Sequence, residues 1–103
     1  MQVTVAATQM ACSWDIEANV ERAEALVREA VAGGANIVLL QELFETPYFC
    51  ISAKNEHFSL ARSLASNPLI SRMRALAREL GVVLPVSFFE RAGLAFYNSI
   101  AII

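Results

Sequence analysis

The side chain best placed to do chemistry in this sequence is Glu42. It is the first ionisable group after Ile37-Val38-Leu39-Leu40, an aliphatic run following Gly33-Gly34 that reads as a buried strand. Its carboxylate therefore falls where the strand reaches its carboxyl edge, and in open α/β sheets that edge is where ligands bind. Beside an apolar strand the ionised form is poorly solvated, which makes Glu42 a readier proton acceptor and a candidate general base. The plainer reading is a capping or salt-bridged carboxylate, and position alone allows both.

The other reactive residue types are scattered. Tyr48 and Phe49 follow Glu42 in a long polar and aromatic loop; Tyr48 is a candidate substrate contact, whereas core packing suits Phe49 better. Glu45 reads first as a solvated charge and second as part of a binding-pocket wall. Cys12 and Cys50 lack CxxC spacing and histidine neighbours, so neither a disulfide framework nor a zinc site is indicated. Cys50 could line the pocket, but an inert semi-buried thiol is the commoner case. Lys54 fits a solvated loop, and the lone His57 and Trp14 fit packing roles. No metal or organic cofactor is implied.

The elements that must position Glu42 follow from periodicity. Val3 to Met10 predicts a largely buried first strand. Asp15 is a plausible N-cap, and Val20, Ala23, Val27, Ala30 and Val31 recur at helical spacing, with Glu24 and Arg28 paired on the wet face. Gly33 and Gly34 end that helix before the Ile37 strand, giving a βαβ crossover with parallel strands. The glycine pair closes a helix, so it is no phosphate loop. Asn67-Pro68 starts a second helix that runs to Gly81. Val82 to Phe89 predicts a third strand, irregular or edge-facing at Pro85, and Arg91-Ala92-Gly93-Leu94 a hairpin turn into Ala95 to Ile103. The result is an α/β chain: two β-α units followed by a β-hairpin.

Composition narrows what such a chain could be. Of 103 residues, 56% are apolar and only 17% charged, against about 25% charged in ordinary domains. A sheet covered on both faces by more chain or a partner accommodates that surplus better than a free-standing monomer. The chain also stops in mid-strand on Ile100-Ala101-Ile102-Ile103, which leads us to expect that the polypeptide continues. A formal charge of −2 with no basic cluster argues against nucleic acid. Apolar runs are too short to span a bilayer, and the N-terminus lacks a signal-peptide pattern, so a cytoplasmic protein is expected.

Three stretches resemble the first third of the nitrilase, or carbon–nitrogen hydrolase, superfamily: Val5-Ala6-Ala7-Thr8-Gln9-Met10, Gly34 through Phe44, and Phe96-Tyr97-Asn98-Ser99. The match runs over essentially the whole chain, and longer pieces such as Ala11-Cys12-Ser13-Trp14-Asp15 narrow it to one amidase branch. The resemblance implies the N-terminal part of an αββα sandwich. It also implies a Glu–Lys–Cys triad acting on a small amide or ureido substrate, with Glu42 in the glutamate's place, and homo-oligomers in the full-length protein. The family's lysine and cysteine lie beyond Ile103, so the fragment alone is expected to be inactive. A competing reading is a non-catalytic α/β interaction module that docks a partner through its apolar sheet face.

Overall fold

A computed structural model describes residues 1–52 and 54–103. Its first unit is β1 (Val5–Ala7), α1 (Ile16–Ala32) and β2 (Ile37–Leu39). Asp15 caps α1 as its sequence position predicts: the backbone is extended, and the carboxylate accepts the Ala18 amide at 3.1 Å. Gly33 closes the helix, and Gly34, at φ 99°, makes the left-handed turn out of it. β2 then lies parallel to β1, with Val5 opposite Ile37 and Ala7 opposite Leu39.

The second unit is α2 (Pro68–Leu80), β3 (Pro85–Ala92) and β4 (Ala95–Ile102). Asn67 accepts the Leu69 amide at 2.9 Å and Pro68 opens the helix, where its missing N–H costs nothing. β3 starts later and runs further than the predicted Val82 to Phe89. Pro85 is its first residue, a position that needs no ladder donor. It pairs antiparallel with β4 from Pro85 and Ile102 to Ala92 and Ala95, around Gly93-Leu94.

Val83 joins the two strand pairs: its amide donates to the Asn36 carbonyl and its carbonyl accepts from Val38, both at 3.0 Å. Both helices pack on one face of the resulting layer. Val20, Ala23 and Val27 of α1, with Leu69, Met73 and Leu76 of α2, bury Val38, Leu84, Val86 and Phe88. Each side chain of Leu or Phe size buried there stabilises by about 1.5–3 kcal/mol.

The other face is open. Val5, Leu39, Ile100 and Ile102 project onto it and are 68%, 46%, 55% and 69% exposed. This corrects the expectation of a largely buried first strand: β1 has three residues, and alternation turns only Ala6 toward the helices. The accessible surface of 6445 Å² exceeds the roughly 5,700 Å² of a compact monomer of this mass. One helical layer on one sheet layer is half of an αββα arrangement. Among the described residues, no helix is long and apolar enough to cross a membrane.

Candidate active site

β2 ends at Leu39, Leu40 is buried, and Glu42 begins a tight turn. Four hydrogen bonds fix this turn. The Gln41 side chain accepts the Met10 amide at 2.8 Å and donates to Cys12 Sγ at 3.2 Å, tying the end of β2 to the segment after β1. Cys12 in turn donates to the Phe44 carbonyl at 3.3 Å. Leu43 adopts φ 49°, the left-handed region that a branched side chain rarely enters, and its buried amide donates to Ser87 Oγ of β3 at 2.9 Å.

With its neighbours held, Glu42 turns onto the open face of the sheet. Asn98 Nδ2 of β4 donates to Glu42 Oε2 at 2.9 Å. Both residues line an open groove of about 410 Å³, whose walls include Leu39, Leu40, Ser87, Ser99 and Ile100. The expectation of a poorly solvated carboxylate needs correction here. Glu42 is exposed, because it stands on the uncovered face where no apolar side chain closes over it. Its partner there is the neutral amide of Asn98, and the ion pairs among the described residues do not include Glu42.

Tyr48 comes to the same place. The Glu42 carboxylate beside its hydroxyl, with Cys50 as a smaller influence, pushes the phenol above its ordinary value. Tyr48 itself is exposed, while Phe49 is buried as packing predicts. Cys50 is exposed. Burial pushes the half-buried Cys12 thiol up and away from the thiolate form, although the Arg22 charge partly offsets this.

Glu45 departs from its reading as a solvated charge. It is half-buried, and burial raises its carboxyl above the usual range against the opposing pull of Arg62. It faces a separate cavity of about 150 Å³ with Thr46, Phe49, Arg62 and Phe88. Arg62 is the opposing charge there, and Glu42 lines a different groove. His57 packs as expected, stacked on Trp14 with ring centres 5.5 Å apart and tilted against Phe49 at 5.2 Å. Trp14 nevertheless stays 58% exposed, so it covers the histidine without entering the core.

The sequence alone gives no role to Asn98, Ser87 or Gln41. Asn98 and Ser99 form a polar pair inside the otherwise apolar Ala95–Ile102, and Ser87 is a small hydroxyl between Val86 and Phe88.

The carbon-nitrogen hydrolase profile matches residues 4–103, and the chain belongs to that family. A carbon-nitrogen hydrolase from Helicobacter pylori G27 superimposes with a TM-score of 0.85 at 29% identity, over 97% of this chain and 35% of that one. Within the family, the chain is 58% identical over 102 residues to the N-carbamoylputrescine amidase of Arabidopsis thaliana, covering 99% of this chain and 34% of the relative. It is 37% identical over 101 residues to a citrullinase of Francisella tularensis, with 98% and 35% covered. The chain spans about a third of the length of the curated relatives it matches.

Proposed function

We propose that these 103 residues are the N-terminal portion of a single carbon–nitrogen hydrolase domain that splits N-carbamoylputrescine into putrescine, ammonia and carbon dioxide. Glu42 is the proton acceptor, and the nucleophilic cysteine and the lysine come from polypeptide outside this segment. Glu42 takes the thiol proton, and the thiolate attacks the ureido carbon. The lysine ammonium stabilises the tetrahedral oxyanion. Collapse breaks the bond to the terminal ureido nitrogen, which takes the proton back from Glu42 and leaves as ammonia, giving a carbamoyl thioester and a free Glu42 carboxylate. Water, deprotonated by Glu42, releases the carbamate, which breaks down to the amine and carbon dioxide. Tyr48, beside Glu42 and open to solvent, is placed to contact substrate.

The observation that carries this reading is the 58% identity with the Arabidopsis amidase across nearly the whole chain, including the strand that presents Glu42. The relationship to a citrullinase supplies the comparison for a test. In the full-length protein, ammonia release measured against N-carbamoylputrescine and citrulline should give a kcat/KM at least about tenfold higher for the former, the scale of one or two differing polar contacts. The isolated 103-residue chain should release none. A preference for citrulline would overturn the substrate assignment. No turnover of either by the full-length protein would favour the non-catalytic interaction module.

A further inference from the structure

The main chain around Glu42 is fixed on both sides, by Gln41 to Met10 and Cys12 and by Leu43 to Ser87, yet the carboxylate itself stands exposed on a long side chain. A backbone held this tightly does not by itself fix the carboxylate, because three side-chain torsions lie between them. The group that reaches the carboxylate from a rigid element is Asn98. It sits inside the eight-residue strand β4, its register set by pairing with Phe89, and it points to the same face as Ile100 and Ile102. Tyr48 approaches from a loop, where position is less tightly determined.

We propose that Asn98 is a positioning residue for Glu42: its Nδ2 donor, 2.9 Å from Oε2, occupies one carboxylate oxygen and turns the other toward the incoming thiol proton. The inference rests on the assignment of Glu42 as proton acceptor. An amide suits the task for a chemical reason. A cation in its place would hold the carboxylate ionised and blunt its basicity, and a second carboxylate would compete for the same proton. A neutral donor orients the group and leaves it able to accept.

The test separates orientation from simple packing by replacing Asn98 with two residues in the full-length hydrolase. Asn98→Asp keeps the shape of the side chain but turns the donor into an acceptor facing Glu42. Asn98→Ala removes both shape and donor. A positioning role predicts that kcat for ammonia release at neutral pH falls about tenfold in Asn98→Ala, the scale of one hydrogen bond to a charged group. It predicts a larger fall in Asn98→Asp, with KM within about threefold of wild type in both. Melting temperatures near wild type check that both variants fold, and Asn98→Asp, which keeps the side chain's shape, carries the test if Asn98→Ala does not. In a Glu42→Gln background neither substitution should lower the residual rate further. If Asn98→Asp is as active as Asn98→Ala or better, or if KM alone changes, the positioning role is overturned while the assignment of Glu42 stands. If Glu42→Gln retains the wild-type rate, both fall together.

Discussion

Replacing Ser87 by alanine tests whether the turn that presents Glu42 is held by the sheet or merely rests on it. The Leu43 amide is buried and donates to Ser87 Oγ at 2.9 Å, and the two residues are 3% and 7% exposed. Removing the hydroxyl leaves that N–H without a protein partner in a place water reaches poorly, which costs about 1–3 kcal/mol. Loss of the buried hydroxyl's own desolvation offsets part of this, so a net of about 1–2 kcal/mol is expected. Leu43 adds to the sensitivity. At φ 49° it already carries left-handed strain of about 1–2 kcal/mol, which the Ser87 contact helps to hold in place. In the full-length hydrolase proposed above, about 2–4 °C of melting temperature accompanies each kcal/mol, so thermal unfolding followed by circular dichroism should show a drop of about 3–8 °C. Ser63→Ala, at an exposed hydroxyl paired only with Ser66, should move it by less than about 3 °C. A Ser87→Ala variant melting within about 2 °C of wild type would refute the reasoning.

Three further outcomes follow from other parts of the molecule. Gly81 ends α2 at φ 65° with open space where a Cβ would stand, so Gly81→Ala should cost about 1 kcal/mol from backbone strain alone, read as a lower urea midpoint. Burial holds the Glu45 carboxyl above its unfolded value, so its contribution to stability is fully present below the unfolded value and is lost as pH rises through the folded one. Glu45→Gln should therefore match wild type near pH 3 and become the more stable protein at pH 7, measured by thermal melts at both. Burial works against the ionised Glu24, but its bonds to Arg72 and Arg28 outweigh this, and Arg28 likewise depresses Glu79. Stability from this partly exposed network is present above the ordinary carboxylate range, fades as pH falls through the lowered carboxyl values, and is smaller in 1 M salt, read as melting temperatures at neutral and acid pH.

How much of this was legible in the sequence depended on how local each signal was. Asp15, Asn67-Pro68 and Gly81 act on amides or backbone angles within a few residues of themselves, so both helices could be bounded before any fold was known. The Glu24 and Arg28 pair was readable for the same reason. The strand before Glu42 was legible because four aliphatic residues in a row have few alternatives. What escaped notice was non-local. Asn98 lies 56 residues from Glu42, and Ser87 lies 44 from Leu43; nothing in the spacing of either pair announces a contact. Glu45 and Glu42 share one turn, and only the direction of each side chain separates a half-buried carboxyl beside Arg62 from an exposed one on the open face. The burial of β1 was misjudged because an apolar composition states how much surface needs covering, and the exposed Val5, Leu39, Ile100 and Ile102 show where that surface lies.

The role of Glu42 as the group that takes the thiol proton is tested most directly by the rate of ammonia release from N-carbamoylputrescine in the full-length protein, wild type against Glu42→Gln. Glutamine keeps the shape of the side chain but cannot accept the proton, so kcat should fall by at least about a hundredfold while the melting temperature stays within about 2 °C. A Glu42→Gln enzyme turning over within about threefold of wild type would contradict the account.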